Sequence, residues 1–223
     1  ATIEDPVEYQ VEGINQIQVN FKTNLTFANG LRSILRQDPD IIYVGEIRDE
    51  ETADIAVNSA MTGHLVLSTL HTNDAATALP RLMDMKIEPF LISSTVNVII
   101  GQRLVRKICD KCKSSKTIKL EEVTALINAN IVKKHLGSSQ ELRVYLGKGC
   151  LICHGTGYSG RIGVFEILAV SPAIQKLIND KADSDVIAKR AIAEGMTTMM
   201  DDGLDKVQQG VTTIEEVLRA TKE

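Results

Sequence analysis

The 223-residue chain has no long hydrophobic run, no excess of positive charge and no N-terminal signal sequence. Its longest apolar stretch, near residues 90–100, is interrupted by serine, threonine and asparagine and is too short to span a bilayer, so no transmembrane segment is predicted. The net charge of −4 argues against nucleic acid as the main partner. The first residues contain neither a basic region nor an apolar core of the kind that secretory signals need. These features favour a globular cytoplasmic protein, and a start without Met is expected of a chain that begins within a domain.

Short apolar strands alternate with amphipathic helices through the first hundred residues. The pattern predicts a helix over residues 26–37, strands over 40–44 and 64–70, and a further helix from Phe90 to about Gln102. Strands and helices that alternate at this spacing predict an α/β fold with a parallel sheet and helices on both of its faces.

The alternation stops near Cys109, where a glycine-rich segment with both cysteine pairs begins. We predict three parts: a partial core over residues 1–108, an inserted module over 109–160, and a strand followed by helices over 161–223. The inserted module contains one helical pattern, near residues 120–136, and places His135 on a polar, solvated surface.

One strand is predicted to deliver charged side chains to the edge of the sheet. The four apolar residues 41–44 predict a fully buried parallel strand, and Glu46 and Arg48 follow it. Open α/β sheets place their ligand sites at the carboxyl ends of the strands. An acid at that edge suits a nucleotide-hydrolysing site, where it orients or activates a water molecule. A simple salt bridge between Glu46 and Arg48 is the alternative.

The chain also lacks the phosphate-binding motif G-x-x-x-x-G-K-[ST] that such a site normally contains. Without this loop, the amides and the lysine that hold the phosphates are missing, and catalysis by positioning loses its main support. We therefore expect the 223-residue chain by itself to be inactive.

Other acids and histidines follow predicted strand ends. Glu4, Asp5 and Glu8 lie just past the first strand, where three carboxylates can order metal-bound water, although a solvated turn is the alternative. His71, at the carboxyl end of its strand, is well placed to sense a γ-phosphate. His64 opens the same strand more than about 20 Å away, so the two rings cannot contact one atom.

Several arginines fall near predicted element ends or on one helix face, where each can contact phosphate or form a surface ion pair. These are Arg32, Arg36, Arg48, Arg81 and Arg161.

Two C-x-x-C pairs give the inserted module the ligand set of a zinc site. Cys109 and Cys112 form the first pair, and Cys150 and Cys153 form the second. Four thiolates suit tetrahedral zinc, and a closed four-sulfur shell predicts a structural metal and no catalysis by it. Idle or redox-active thiols are the alternative.

The first pair lies within a basic segment, which is either a solvated rim or a docking patch for a protein or a membrane surface. Its basic residues are Arg103, Arg106, Lys107, Lys111, Lys113, Lys116 and Lys119.

Taken together, these motifs resemble those of the secretion ATPase superfamily, which includes type II secretion and type IV pilus assembly motors. Residues 2–8 match its acidic box, residues 38–49 its second nucleotide motif, and residues 62–73 its histidine box. Gly45 stands where many ATPases have Asp, and Glu46 is the implied catalytic acid. The cysteine pairs match the zinc module of the assembly and secretion members, which the retraction motors lack. The resemblance extends over essentially the whole chain.

The resemblance implies a RecA-like P-loop NTPase core, truncated here, that forms a homohexamer with ATP between its subunits. It implies that Glu4 and Glu8 belong to the Mg²⁺ and water region, and that His64, His71 and the five arginines contact nucleotide or lie at subunit contacts. It also implies a phosphate loop and a separate N-terminal domain upstream. The implied partners are an inner-membrane platform protein and a membrane-recruiting protein, and the implied location is peripheral, at the cytoplasmic face of the inner membrane. A non-enzymatic zinc-binding adaptor and a DNA-translocating motor of related fold are the alternatives.

Overall fold

In the computed structural model, which describes residues 1–221, the chain divides into two compact units. The first contains residues 1–99 and 168–194, and the second contains residues 100–167 and the chain after residue 194. The three-part division predicted from the sequence, at residues 108 and 160, stays a prediction.

The first unit contains a four-stranded parallel sheet in the order β2-β1-β3-β4, which confirms the predicted α/β fold with a parallel sheet. Its strands are β1 (Thr2–Glu4), β2 (Gln16–Gln18), β3 (Ile41–Val44) and β4 (Leu65–Ser68). Its helices are α1 (Phe27–Leu35), α2 (Glu50–Met61), α3 (Ala78–Asp84), α4 (Pro89–Thr95), α7 (Pro172–Asn179) and α8 (Ser184–Ala193).

Local sequence explains where the first two helices begin. The side chain of Thr26 accepts the Asn29 amide at 3.2 Å, and that of Asp49 accepts the Thr52 amide at 2.8 Å, so each satisfies a free N–H of the first turn. Leu31 of α1 is fully buried. Helix α1 therefore begins where the sequence predicts a helix.

Strand β3 is only half buried, so the prediction of full burial was wrong. Ile42 and Val44 are fully buried, whereas Ile41 is 50% exposed. Ile41 pairs with Leu65 on β4, which is also about half exposed. Because successive side chains of a strand point to opposite faces, Ile42 and Val44 form a buried face of β3, whereas the face that contains Ile41 is partly open among the described residues.

The helix predicted from Phe90 to Gln102 was also wrong in its second half. Helix α4 ends at Thr95, and strand β5 (Val98–Ile108) follows. Along residues 98–105 of this strand, more exposed and less exposed residues alternate, which is the period of a strand. β-branched residues such as Val98, Ile99 and Ile100 favour that conformation.

No helix within residues 1–221 is both long and apolar enough to cross a membrane.

The second unit combines two strand pairs with short helices. Strand β5 pairs with β8 (Tyr158–Ala169), and β6 (Lys113–Lys119) pairs antiparallel with β7 (Glu141–Gly147). The single helical pattern near residues 120–136 is in fact two helices. The helices of this unit are α5 (Leu120–Thr124), α6 (Ala129–Leu136), α9 (Met199–Gln208) and α10 (Ile214–Thr221). They pack with β7 around a core that includes Val132, Val144, Leu204 and Val217.

Candidate functional site

The carboxyl ends of three parallel strands bring acidic and imidazole side chains to one edge of the sheet. Glu4 is the last residue of β1, Glu46 follows β3 by two residues, and His71 follows β4 by three. Since β1, β3 and β4 are neighbours and parallel, these positions share an edge, as the sequence predicts.

Glu46 is the buried centre of this edge. The residue is 8% exposed, and its carboxylate contacts the guanidinium of Arg48 on one oxygen and Nε2 of His71, at 2.8 Å, on the other. The side chains of Arg48 and His71 are 58% and 81% exposed. A buried carboxylate is thus held in one orientation by two partners that reach solvent. The alternative of a simple pair with Arg48 is incomplete, because His71 is a second partner.

These partners also set the charge of Glu46. The hydrogen bond from Arg48 lowers the pKa of the Glu46 carboxyl, burial opposes this change, and the hydrogen bond to His71 lowers the pKa further. The result is a pKa below the ordinary value of 4.5, so Glu46 is ionised at neutral pH. An ionised carboxylate is the form that accepts a proton or orients water.

Backbone contacts tie the three strand ends together around Gly45. Its amide donates to Ile3 O at 2.7 Å, and its carbonyl accepts the Thr69 hydroxyl at 2.7 Å. A Cβ at position 45 would lie 3.2 Å from Glu4 Cα, tighter than usual, so glycine allows the end of β3 to approach β1 closely. Thr69 was not singled out from the sequence, where its signal is its place in the histidine box between β4 and His71.

The three acids at the end of β1 and just after it differ in their surroundings. The carboxylate of Glu4 accepts the Thr2 hydroxyl at 2.6 Å and the Gln16 amide at 3.0 Å. Asp5 is exposed, and its charge adds to the larger effect of Glu46 in raising the pKa of Arg48. Glu8 is exposed in the loop that follows. Glu4 and Asp5 therefore lie at the edge that contains Glu46, while no contact places Glu8 there.

Other predicted residues lie on helices or at the far end of the sheet. Arg32 pairs with Glu51 at 2.7 Å, and Arg36 donates to Ser33. Nδ1 of His64 lies 3.0 Å from Ser59 O, before β4 begins, so the structure keeps it away from His71.

Arg81 and Arg161 are exposed, and neither side chain makes a hydrogen bond or ion pair with the rest of residues 1–221. Arg81 belongs to the first unit and Arg161 to the second. A role for either arginine in nucleotide or subunit contact stays a prediction.

The four cysteines of the second unit converge on one point. Their sulfur atoms all lie within 4.8 Å of one another, and all four are free thiols. Three of the separations are 3.9 Å (Cys109 to Cys150), 3.8 Å (Cys112 to Cys153) and 3.7 Å (Cys150 to Cys153). Zinc–sulfur bonds of about 2.3 Å in a tetrahedron place sulfurs about 3.8 Å apart. The donor set and its spacing therefore fit a four-thiolate metal site.

Backbone amides support thiolate charge at this cluster. Sγ of Cys153 accepts the amides of Cys150 at 3.2 Å and Gly157 at 3.3 Å. Burial raises the pKa of the Cys153 thiol, but these amides and neighbouring sulfurs outweigh burial and lower the pKa to about 6. At Cys112, burial dominates and raises the pKa to about 12, against the Gly149 amide. In the absence of metal, Cys153 is the first of these two thiols to ionise.

His135 is buried, so the prediction that it is solvated was wrong. Its Nε2 lies 2.6 Å from Asp201 and its Nδ1 lies 2.5 Å from Asp205, both on α9. Each ring nitrogen of His135 therefore lies within hydrogen-bond distance of a carboxylate oxygen. Lys134 also donates to Asp201, at 3.0 Å. The partners lie about seventy residues away in the chain, and local polarity gave no sign of them.

The chain resembles known proteins along its whole length. The family described as "Type II/IV secretion system protein" matches residues 1–219. The chain is 49% identical over 224 residues to the type II secretion system ATPase E of Vibrio cholerae serotype O1, covering 100% of this chain and 42% of that protein. It is 50% identical over 226 residues to the type IV pilus assembly ATPase PilB of Thermus thermophilus, covering 100% of this chain and 24% of that protein.

A solved structure agrees with the fold. The crystal structure of the pilus retraction motor PilT with bound ADP superposes with a TM-score of 0.67 and 29% sequence identity, covering 100% of this chain and 52% of that one. The chain spans less than half the length of the two relatives described above. On the match over residues 1–219, the chain belongs to the type II/IV secretion system protein family.

Proposed function

We propose that this chain is the C-terminal part of an ATPase whose hydrolysis of ATP powers pilus assembly or type II protein secretion. The observation that carries the proposal is the buried, ionised Glu46 at the carboxyl edge of a parallel sheet, held by Arg48 and His71. Relatives named as ATPases of secretion and of pilus assembly, at 49% and 50% identity, support the same activity.

In this proposal the side chains at the edge have different tasks. Glu46 orients the attacking water and takes up its proton as the phosphate bond breaks, a role that needs the ionised form. Arg48 and His71 fix the orientation of the carboxylate, and His71, the more exposed of the two, also faces the terminal phosphate.

The acids at the end of β1 and just after it hold metal and water. Carboxylate oxygens are the ligands that Mg²⁺ prefers, and Glu4, Asp5 and Glu8 supply them. When bound, Mg²⁺ neutralises phosphate charge during transfer. The contacts of Glu4 with Thr2 and Gln16 leave acceptor capacity on its carboxylate for a bound water.

The remaining predicted residues are proposed to act between subunits of a homohexamer. Arginine stabilises transferring phosphoryl groups when a neighbouring subunit supplies it. Arg81 and Arg161 support this idea best, because both are exposed and make no ion pair with other described residues. We propose smaller parts in subunit contact for Arg32, Arg36 and His64, which already have partners within the chain.

The four cysteines are proposed to hold one structural zinc ion. The sulfur separations and the amide bonds to Cys153 support this proposal. Four protein ligands leave no open position, so the metal would pin the two C-x-x-C turns together and would take no part in hydrolysis.

The partners proposed for the whole protein are an inner-membrane platform protein and a membrane-recruiting protein. The corresponding location is the cytoplasmic face of the inner membrane. Family membership supports these proposals, and the chain itself supplies no contact with such partners.

Steady-state ATP hydrolysis by two forms of the protein tests the proposal. We expect the 223-residue chain to show background turnover and the complete protein to show robust turnover, because the complete protein should contain a G-x-x-x-x-G-K-[ST] loop upstream of Ala1. The encoded upstream sequence checks this directly. Robust hydrolysis by the 223-residue chain, or a complete protein with no phosphate loop, would contradict the proposal.

A further inference from the structure

Two peptide units flank Glu46, and both of them hydrogen-bond to one residue at the end of the neighbouring strand. The hydroxyl of Thr69 donates to the Gly45 carbonyl at 2.7 Å, and the Ile47 amide donates to the Thr69 carbonyl at 3.0 Å. Thr69 comes directly after β4 and two residues before His71. One short segment therefore holds the backbone of Glu46 through Thr69 and its carboxylate through His71.

These two bonds restrain the direction in which the Glu46 side chain leaves the backbone. Each peptide unit is planar, so the geometry at a residue is set by the two dihedral angles between its neighbouring planes. The bond from the Thr69 hydroxyl holds the plane between Gly45 and Glu46, and the bond from the Ile47 amide holds the plane between Glu46 and Ile47. With both planes held, the Cα–Cβ bond of Glu46 keeps one direction.

Glycine at position 45 makes the bond from the Thr69 hydroxyl important. Because glycine has no Cβ and adopts a wide range of backbone angles, it restrains the orientation of its own carbonyl very little. On the side of β1, the Gly45 amide donates to Ile3 O at 2.7 Å, which holds the peptide plane before Gly45. Rotation at Gly45 can still turn the plane after it, and the Thr69 hydroxyl opposes this rotation.

We propose that Thr69 is a positioning residue for ATP hydrolysis, whose hydroxyl fixes the Gly45 carbonyl and thereby aims the Glu46 carboxylate at the attacking water. This inference rests on the proposed function, in which Glu46 takes up the proton of that water. Thr69 acts through Glu46 and needs no contact of its own with the nucleotide. A misplacement of about 1 Å at a reacting group can cost about a hundredfold in rate, so the aim of one carboxylate matters for catalysis.

The exposure of Thr69 separates this role from a purely structural one. Thr69 is exposed among the described residues, so a water molecule can replace its hydroxyl as the partner of the Gly45 carbonyl. A hydrogen bond that water can replace contributes little to the free energy of unfolding. A mobile water molecule does not, however, hold the carbonyl in one orientation. Loss of the hydroxyl should therefore change the hydrolysis rate much more than the stability.

Steady-state ATP hydrolysis by the complete protein tests this role with Thr69→Val and Thr69→Ser. Valine keeps the branched shape without the hydroxyl, and serine keeps the hydroxyl without the branch. We expect Thr69→Val to lower kcat by about tenfold and to leave KM within about twofold of the parent value, since one positioning hydrogen bond is lost while nucleotide binding is retained. Thr69→Ser should keep kcat within about threefold of the parent value.

Thr124→Val is the matched control for the loss of a threonine hydroxyl. The Thr124 hydroxyl also donates to a backbone carbonyl, that of Glu121 at 3.3 Å, but it lies on α5 in the second unit. Both kcat and KM of this variant should equal those of the parent protein. The thermal midpoint of each Thr69 variant should stay within about 3 °C of the parent value, as for an exposed substitution.

A double-mutant cycle with Glu46→Gln shows whether Thr69 acts through Glu46. In the parent background, Thr69→Val should slow single-turnover hydrolysis by about tenfold. In the Glu46→Gln background the proton acceptor is already absent, so the same change should slow hydrolysis no further. Residues that act as one unit show this lack of additivity.

Four results would overturn the role of Thr69. They are a parent-like kcat in Thr69→Val, an equal loss of kcat in Thr69→Val and Thr69→Ser, a loss that persists in full in the Glu46→Gln background, and a thermal midpoint that falls together with kcat. Glu46→Gln alone keeps this test distinct from that of the proposed function. If Glu46→Gln hydrolyses ATP as fast as the parent, the proposed function fails. A slow Glu46→Gln protein beside an unaffected Thr69→Val protein removes only the role of Thr69.

Discussion

Replacement of His135 by alanine should destabilise the second unit far more than any exposed change on the same helix. The ring is 7% exposed and makes hydrogen bonds of 2.6 Å and 2.5 Å to Asp201 and Asp205, so it joins α6 to α9. A hydrogen bond to a charged group contributes about 1.5–3 kcal/mol. Asp205 is 47% exposed, so its hydrogen bond to His135 contributes at the low end of this range. When His135 is removed, Asp201 still has Lys134 and Thr198 as hydrogen-bond partners. We expect His135→Ala to lower the free energy of unfolding by about 3 kcal/mol.

Urea unfolding, with amide hydrogen exchange to assign the change to α6 and α9, measures this loss. With an m-value of about 2 kcal/mol/M, the midpoint should fall by about 1.5 M. Lys133→Ala is the matched control, because Lys133 is an exposed neighbour on α6, and its effect should stay within about 0.5 kcal/mol. Equal midpoints for the two variants would refute the argument that His135 joins the helices.

Three further predictions concern the second unit. Asp201 and Glu216 keep pKa values far below their ordinary 3.8 and 4.5, because hydrogen bonds outweigh the burial that raises them. As the pH falls, the unfolded chain therefore binds protons at these two carboxyl groups before the folded chain does. The stabilisation that the two ionised carboxylates provide is complete above about pH 4.5 and is lost as the pH falls further. A urea midpoint that does not change down to about pH 3 would contradict this. Elemental analysis of the complete protein should find one zinc ion per chain, and the Cys112→Ser variant should contain less zinc. A Cys112→Ser variant that still contains one zinc ion per chain would exclude the four-thiolate site. Gly147→Ala should lower both zinc retention and thermal midpoint, because its Cβ would lie 1.9 Å from Gly157 O, and an unchanged midpoint would show that these backbone segments separate easily.

Local pattern was enough to predict the sheet and most of its edge. Apolar β3, the cap at Asp49 and the acid at Glu46 are encoded within a dozen residues, so their arrangement follows from short-range rules. The contact between Glu46 and His71 was not predicted, although both residues follow strands that end at one edge. The cysteine cluster was predictable for a similar reason, because C-x-x-C spacing already defines each turn.

Other features depend on partners far along the chain, so local sequence does not reveal them. His135 sits in a polar segment, and only the packing of α9 against α6 buries it. No strong helix-breaking residue separates residues 96–102 from the helix before them, so the helix was predicted to continue across them. In the structure these residues belong mostly to β5, whose strand conformation is determined by its pairing with β8. The half-exposed face at Ile41 also follows from tertiary packing and not from local hydrophobicity.

The most direct test of the proposed function is single-turnover ATP hydrolysis by the complete protein with Glu46→Gln. The amide keeps the size of the side chain but cannot take up the proton from water. We predict that nucleotide affinity is retained while the hydrolysis rate falls by about 10²–10⁴-fold. Glu50→Gln, at an exposed residue that pairs with Lys86, is the matched control and should hydrolyse ATP at the parent rate. A Glu46→Gln protein that hydrolyses ATP as fast as the parent would contradict the assignment of Glu46 as the catalytic base.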